Sequence, residues 1–269
     1  KVSNFEMGAT INLAEGNTNY KVIDNAIFTS DMKTLVVRCN GTSTADSYVI
    51  PEGVTTIGVS CFDHSILRHI TIPSTVTTIE DYAFEVSAIE ELVIPDSVTE
   101  CGIYTAIQCP NLKRLVIGNG IKELTHSQFR TNENLEEVVI GSGVKTIVET
   151  VFSGCKSLRS VTFAEGSQLE AITGDRVFAN TALESIELPD SCTKVAKWAF
   201  WDCSELKSIV ARGIQLDEKG GADNFGSFYN ASNGSGCYKA TITANILTNS
   251  QAWRSGIPAK DYFLEDGSK

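Results

Sequence analysis

Eight cysteines and three histidines are the side chains of this 269-residue chain that could bind a metal ion or form a cross-link. Protein metal sites of these residue types usually hold two ligands a few residues apart, as in CxxC or HxxxH. No CxxC occurs in the sequence, and His64, His69 and His126 share no such spacing. We therefore predict no metal site and no other cofactor.

The short motifs that position a nucleophile or a phosphate are missing from the sequence as well. There is no G-x-S-x-G, no P-loop and no G-x-G-x-x-G. Groups such as Ser, His and Asp need not be neighbours in sequence to form a catalytic site, so this alternative stays open. Because the chain is repetitive, as shown below, it offers many similar positions instead of one unique pocket, and we predict no catalytic residue and no enzyme activity.

The charge balance is acidic, with 33 Asp and Glu residues against 22 Lys and Arg residues and a formal net charge of −11. A nucleic-acid-binding surface needs clustered basic residues to neutralise phosphates, and the sequence has no such cluster. Nucleic acid and anionic membrane surfaces are therefore not predicted as partners. No apolar run approaches the roughly 18 residues of a membrane-spanning helix, so we predict no membrane insertion.

A short pattern recurs through the middle of the chain. The segment Leu92–Val98 has near copies at Ile70–Val76 and Tyr48–Val54, at steps of 22 residues. At further steps of 23, 23, 23, 25 and 23 residues, the same short strand begins again at Leu115, Val138, Val161, Ile186 and Ile209. The spacing predicts eight parallel strands that bound seven repeats.

Each repeat carries apolar residues at matched phases. In one repeat, a Val-x-x-Ile pair at Val76 and Ile79 follows the strand, Phe84 comes next, and Ile89 precedes the following strand. A single repeat cannot bury these side chains, so stacking between repeats must do so. The large residues that we predict to stack in the core are Phe62, Phe84, Ala106 or Ile107, Phe129, Phe152, Phe178 and Phe200.

The repeat also assigns most cysteines. Cys109, Cys155 and Cys203 share the phase three residues before the core leucine, and Asn132 and Asn180 occupy it in two other repeats. Cysteines two repeats apart are separated by roughly 9–10 Å, beyond the reach of a disulfide, so we predict buried thiols. Two further cysteines, Cys101 and Cys192, occupy Val-x-x-Ile positions and are predicted to lie in the core. The redox state of Cys39 and Cys237, which flank the repeats, stays open.

These repeats resemble the BspA-like, or treponemal-type, leucine-rich repeats. The resemblance is carried by Ile70–Phe84 and Gly154–Val161 and recurs seven times between Tyr48 and about Arg212. It implies an α/β repeat solenoid, a right-handed superhelix with a parallel sheet of short strands on its concave face. It further implies roles in adhesion and recognition of protein or glycan ligands, and supplies no ligand-binding residues.

The repeats and their flanks divide one continuous solenoid into three parts, a cap over 1–47, seven repeats over 48–212 and a closing region over 213–269. In the first cap we predict a degenerate strand at Ile11–Leu13 and a hairpin in which Ala26–Phe28 and Leu35–Val36 flank a polar turn. In the closing region we predict a last strand at Tyr238–Thr243, a short helix over 245–254, and a decayed repeat with Phe225 in the Phe phase. The alternative for its glycine-rich segment over 213–236 is a binding loop.

The outward positions of the strands are the candidate binding surface. Glu91, Arg114 and Glu137 are predicted to form a row of alternating charge beside a stripe of outward valines. These positions either support the sheet by cross-strand pairing or form a recognition face. The candidate residues of this face are His69, Thr71, Glu91, Val93, Arg114, Val116, Glu137, Val139 and Thr162. An aromatic row of Tyr82, Tyr104 and Trp198 is the second candidate.

The sequence therefore favours a non-catalytic recognition or adhesion module that binds a protein or a glycan, such as a host matrix or cell-surface protein. The alternative is a structural spacer that presents another domain at a cell surface. We expect an extracellular or cell-surface location, with any signal peptide or lipoprotein anchor outside this sequence. The ligand and the oligomeric state cannot be assigned from the sequence.

Overall fold

The computed structural model describes residues 11–39, 45–196, 198–216 and 241–246. Within these residues the chain forms about seven stacked turns whose regular elements are short β-strands, numbered β1 to β19 in chain order. The described residues contain no helix. The predicted solenoid of parallel strands is thus confirmed, whereas its helical component is not found in this part of the chain.

One side of the turns forms the first ladder, in which each strand pairs in parallel with strands one turn away. In β8 the side chains of Leu92 and Ile94 are buried and Val93 points outward, as the alternation predicts. The strands of the first ladder are β4 (Ser47–Val49), β6 (His69–Thr71), β8 (Glu91–Ile94), β10 (Arg114–Ile117), β12 (Glu137–Ile140), β14 (Ser160–Phe163), β16 (Ser185–Glu187), β18 (Ser208–Leu216) and β19 (Thr241–Ile246).

The first ladder is divided into three sections and does not form the single sheet of eight strands that the sequence predicts. β4 pairs with β6, β8 to β14 form a four-stranded sheet, and β16, β18 and β19 form a three-stranded sheet. The break between β14 and β16 coincides with the longest repeat of the series, at 25 residues. The break between β6 and β8 lies at an ordinary step of 22 residues, so repeat length alone does not determine where pairing stops.

A second ladder runs along another side of the turns and was not predicted from the sequence. It is built by the Val-x-x-Ile segments, in which Ile57 is buried and the preceding Thr56 is half-buried. The two-residue strands are β5 (Thr56–Ile57), β7 (Thr78–Ile79), β9 (Glu100–Cys101), β11 (Glu123–Leu124), β13 (Thr146–Ile147), β15 (Ala171–Ile172) and β17 (Lys194–Val195).

The predicted N-terminal hairpin is confirmed. β2 (Ala26–Thr29) pairs in antiparallel fashion with β3 (Thr34–Arg38), and β1 (Tyr20–Ile23) pairs with the other edge of β2. In the turn, the Asp31 carboxylate accepts hydrogen bonds from the Thr29 hydroxyl at 2.6 Å and the Lys33 N–H at 3.0 Å. β3 then pairs in parallel with β5, which joins the hairpin to the second ladder. The strand predicted at Ile11–Leu13 is wrong, because these residues form none.

Phenylalanine side chains stack through the core, as predicted. Phe62 and Phe84 lie 5.2 Å apart between ring centroids, and Phe152 and Phe178 lie 5.5 Å apart, with nearly parallel planes. Ala106 occupies the Phe phase between Phe84 and Phe129 and is fully buried. All six rings of this set, namely Phe62, Phe84, Phe129, Phe152, Phe178 and Phe200, are 0% exposed.

The segments around the phenylalanines form the third side of the turns. Backbone hydrogen bonds join consecutive turns here, for example from Phe62 N–H to Ala83 O and from Phe84 N–H to Thr105 O, both at 2.7 Å. Left-handed residues recur two positions on either side of the core residue, as at Tyr82 (φ 59°) and Val86 (φ 52°) around Phe84. Each turn is thus hydrogen-bonded to its neighbours on three sides, so short strands are enough to hold the turns together.

The slot that holds the cysteines is confirmed, with one correction. Cys109, Cys155 and Cys203 are fully buried free thiols, and Asn132 is buried in the same slot. Asn180 is exposed, so its assignment to the slot is wrong. The neighbouring Thr181 fills the slot instead, because this repeat has one residue fewer between the slot and the core leucine, and its hydroxyl donates to Phe178 O at 2.9 Å.

Of the remaining cysteines, Cys192 is fully buried as predicted, and Cys101 is only partly buried at the edge of the core. Cys39 is a buried free thiol. At the C-terminal end, β19 includes the 241–243 part of the predicted last strand, and it continues through Asn245 and Ile246, where a helix was predicted. Residues 247–254, Phe225, Cys237 and the glycine-rich segment beyond 216 lie outside the described residues.

Candidate functional site

The outward face of β8, β10 and β12 carries a row of alternating charge, here called the strand charge row. The parallel register places Arg114 directly between Glu91 and Glu137. The Arg114 guanidinium forms ion pairs with both carboxylates, with 3.2 Å between its Nε and Glu137 Oε2. All three side chains are about 40–50% exposed, and hydrogen bonding to Glu91 raises the pKa of Arg114 further. The predicted row therefore forms.

A stripe of valines, here called the valine stripe, lies two residues along the same strands. The register aligns Val93 with Val116, Val116 with Val139, and Val139 with Thr162. Val93 is 45% exposed, and Val116 and Val139 are half-buried. The stripe is thus a narrow apolar strip on an otherwise polar face, and its backbone is fixed by the ladder.

The remaining residues predicted for this face are His69 and Thr71, which lie on β6. Both are exposed and point outward, beside Ser47 and Val49 of β4. They belong to a different section of the first ladder from the valine stripe. The structure thus brings seven of the nine predicted residues into one sheet and leaves these two at its border.

A longer row of charges runs directly before the strands and was missed in the sequence. It is called here the flanking charge row, and its members alternate in sign without exception: Arg68, Glu90, Lys113, Glu136, Arg159, Glu184 and Lys207. The signal was readable as opposite charges at steps of 22 to 25 residues. The row lies one residue outside the strands, so strand alternation alone does not reveal it.

Contacts between successive turns show that the flanking charge row pairs internally. Arg68 forms a charged hydrogen bond with Glu90, and Glu184 lies 2.7 Å from Lys207 and 3.8 Å from Arg159. The hydrogen bonds from Arg68 and Lys207 lower the pKa of the Glu90 and Glu184 carboxyls. Exposed pairs of this kind are screened by solvent and contribute little, so the row affects stability only slightly.

The predicted aromatic row does not form as one surface. Tyr82 and Tyr104 stack with 5.3 Å between ring centroids. Trp198 lies several turns away, where it packs against Trp201 at 5.7 Å, and the Arg176 guanidinium lies over both indole rings. Between the two clusters, the left-handed positions are held by polar residues such as His126 and Glu149, whose side chains lie 3.3 Å apart between Nδ1 and Oε2.

The buried thiols have no environment that would activate a nucleophile. Burial raises the pKa of Cys155 to about 12 and that of Cys109 and Cys203 to about 11. Reactive cysteines have the opposite property, a lowered pKa and solvent access. In the part of the chain that the structure describes, no group of three or more His, Cys, Asp or Glu side chains is arranged to hold a metal ion. No described segment forms a helix long and apolar enough to cross a membrane.

Comparison with solved structures supports the fold. A leucine-rich repeat protein from Eubacterium ventriosum superposes with a TM-score of 0.63 and 28% identity, over 72% of this chain and 52% of that protein. A leucine-rich repeat protein from Bacteroides ovatus gives a TM-score of 0.50 at 18% identity, over 93% of this chain and 70% of that protein. The chain thus spans about half the length of the Eubacterium protein. No curated protein sequence matches the chain.

A family comparison agrees with the repeats read from the sequence. The chain matches the BspA type leucine rich repeat region in six copies, over residues 38–147 and 122–215. These ranges contain the strands from β4 through β17, most of β18 and all six stacked phenylalanines. Leucine-rich repeat solenoids of this kind are generally modules for interaction and not catalysis. The chain belongs to the BspA-type leucine-rich repeat family.

Proposed function

We propose that this chain is a non-catalytic recognition module that binds a protein partner through the outward face of β8, β10 and β12. The observation that supports the proposal is the position of the valine stripe beside the strand charge row. Protein interfaces typically combine a desolvated apolar centre with a polar rim. The stripe provides such a centre, and Glu91, Arg114 and Glu137 provide one side of the rim.

The face is also rigid. Val93, Val116 and Val139 sit on strands whose other side chains, such as Leu115 and Val138, are fully buried. A surface fixed by core packing loses little conformational freedom on binding, so a larger share of the contact energy becomes affinity. The proposed partner is a protein with an apolar ridge flanked by charges of opposite pattern.

An extracellular or cell-surface location is part of the same proposal and follows from the family resemblance. Fractionation of the source cells, with antibody labelling of intact cells, tests it. Antibody access to the chain on intact cells is the expected result. Labelling only after permeabilisation would contradict it.

Binding to purified extracellular matrix proteins, measured by biolayer interferometry, tests the recognition face. Val116→Glu places a charge at the centre of the valine stripe and is expected to weaken any binding found by tenfold or more. Thr99→Glu is the matched control, because Thr99 is exposed and precedes β9 on the second ladder. Equal affinity of the Val116→Glu variant and the parent would contradict the proposed face.

A structural spacer is the second candidate, and the flanking charge row favours it. Arg68, Glu90, Arg159, Glu184 and Lys207 already pair with each other, so they offer little unsatisfied charge to a partner. A spacer needs a stable, polar surface and no ligand. If the valine stripe can be replaced by three threonines without loss of adhesion of the source cells, the spacer is the better description.

A further inference from the structure

The turn that follows β14 is wider than its counterparts. Leu169, the first residue of the Val-x-x-Ile pair, comes eight positions after Val161, whereas Val144 comes six positions after Val138. The extra residues lie in the segment 164–167. In the preceding turn, a Cβ on Gly143 would lie 1.9 Å from Asn119 O, so the two backbones are in contact. Nothing lies within 4 Å of a Cβ on Gly166 in the widened turn, as is also true of Gly53 in the turn after β4.

The backbone pairing of the first ladder is interrupted beside this turn. Where the ladder is continuous, the third residue of a repeat donates to the following turn, as from Ile50 N–H to Thr71 O at 3.0 Å and from Leu188 N–H to Val210 O at 2.8 Å. The equivalent partners here are Phe163 and Glu187. No backbone hydrogen bond joins residues 160–163 to residues 185–187, all of which the structure describes.

A cleft of about 580 Å³ lies beside the widened turn. This volume lies within the roughly 300–1,000 Å³ of small-molecule sites. Its apolar wall contains Val161, Phe163, Leu188 and Pro189, and its polar wall contains hydroxyls and charges. The polar side chains that line it are Thr162, Ser167, Glu187, Asp190, Ser191 and Arg212.

Arg212 stands where the other repeats carry a small or turn-forming residue, such as Pro189 one turn earlier. β18 continues through this position, so the guanidinium reaches back over the preceding turn. The Nη1 atom of Arg212 lies 2.7 Å from Glu187 Oε1 and 3.8 Å from Asp190 Oδ1. The neighbouring Gly213 permits this approach, because a Cβ there would lie 2.2 Å from Asp190 O.

We propose that this cleft binds a saccharide, as one neutral pyranose unit of a glycan. Each sugar hydroxyl both donates and accepts a hydrogen bond. The Glu187 and Asp190 carboxylates accept, Arg212 donates, and Thr162, Ser167 and Ser191 can do both. The half-buried Phe163 and Pro189 offer an apolar surface to the C–H face of the ring. The inference rests on the proposed recognition role and gives it a second ligand class at a separate place.

A basic peptide side chain is the competing ligand, because the cleft contains two carboxylates. It is less well matched, since Arg212 already occupies the space between Glu187 and Asp190. A cation would have to displace a paired guanidinium. A neutral polyol leaves the ion pairs intact and hydrogen-bonds to their outer oxygens, as well as to the hydroxyls of Thr162 and Ser191.

Saturation-transfer NMR and calorimetry with methyl pyranosides of glucose, mannose, galactose and N-acetylglucosamine test the proposal on the full chain. At least one sugar is expected to bind at concentrations of about 10 mM, a weak affinity suited to an open cleft. Glu187→Gln is expected to weaken binding about tenfold, the value of one charged hydrogen bond. Thr162→Arg is expected to weaken binding at least as much, because the longer side chain fills the cleft. Both residues are exposed, so the variants should fold, and circular dichroism checks this.

Glu184→Gln is the matched control, since Glu184 is an exposed, ion-paired carboxylate of the flanking charge row that does not line the cleft. Three results would overturn the proposal: no sugar binds, the cleft variants bind as well as the parent, or an arginine-containing tetrapeptide binds more tightly than every sugar. Val116→Glu separates the two sites. If this variant loses protein binding and keeps sugar binding, both the recognition face and the cleft are supported. If sugar binds and no protein partner does, the cleft is supported and the recognition face is not.

Discussion

The Asn132 side chain accepts a 2.8 Å hydrogen bond from the backbone N–H of Cys109, so a side chain of one turn completes the backbone of the turn before it. Its amide also donates to Ala106 O at 2.8 Å and to Phe129 O at 2.9 Å. In other turns the thiols of Cys109 and Cys203 donate to the carbonyls of Phe84 and Phe178. The slot therefore serves to satisfy buried carbonyls, which explains why it holds small polar or thiol side chains.

Asn132→Ala is expected to destabilise the protein by about 3 kcal/mol, because it leaves buried backbone groups without partners. Chemical denaturation monitored by circular dichroism measures the loss. The control is Asn134→Ala, since Asn134 is exposed and makes one hydrogen bond, to Pro110 O. Its cost should stay below about 1 kcal/mol. Similar losses for the two variants would show that the slot has no special role.

Phe152→Ala is expected to cost about 3–5 kcal/mol, because Phe152 is fully buried between the rings of Phe129 and Phe178. Phe152→Leu keeps most of the volume and should cost far less. The denaturation midpoint of both variants provides the test. A loss under about 1 kcal/mol for the alanine variant would mean that the phenylalanine stack is not continuous in solution.

The free thiols are expected to resist modification in the folded protein. Burial raises the pKa of Cys155 to about 12, so its thiolate is scarce at neutral pH, and the group is shielded from reagents. In a Cys237→Ser background, Ellman's reagent should react slowly with the native chain. After unfolding, it should react rapidly with all seven remaining cysteines. Mass spectrometry locates any early label, and rapid labelling of Cys155 in the native state would contradict the burial.

Gly143→Ala is expected to destabilise the protein by about 3 kcal/mol, because its Cβ would overlap the backbone of Asn119. Gly166→Asn is the matched change in the widened turn. Gly166 has a φ of 72°, which asparagine tolerates, and open space around it, so the cost should be under about 1 kcal/mol. The reverse order of the two losses would argue against the cleft described above.

The repeat, the stacked phenylalanines and the strand charge row could be predicted because each depends on one side chain recurring at a fixed phase. The second ladder could not, since a two-residue strand such as Thr56–Ile57 is too short to show alternation. The prediction for Asn180 is wrong because the slot residue of this repeat, Thr181, lies two residues before its leucine, Leu183, and not three.

The cleft shows a different limit. The 25-residue step that begins at Val161 was visible in the sequence, but a step length does not say which side of the turn opens. That depends on backbone contacts, which differ between Gly143 and Gly166 although both are glycines in equivalent turns. The division of the first ladder into three sections likewise depends on backbone contacts that the sequence does not reveal.

The alternating signs of the flanking charge row favour gain or loss of turns in even numbers. Recombination can delete a whole turn and still leave every core phase matched, because each turn contacts only its neighbours. Loss of the turn that carries Glu90, however, brings Arg68 beside Lys113, two cations in place of an ion pair. Loss of two turns brings Arg68 beside Glu136 and restores the pair. Gain or loss of turns in even numbers thus preserves the surface as well as the core, and the preference comes from outward side chains alone.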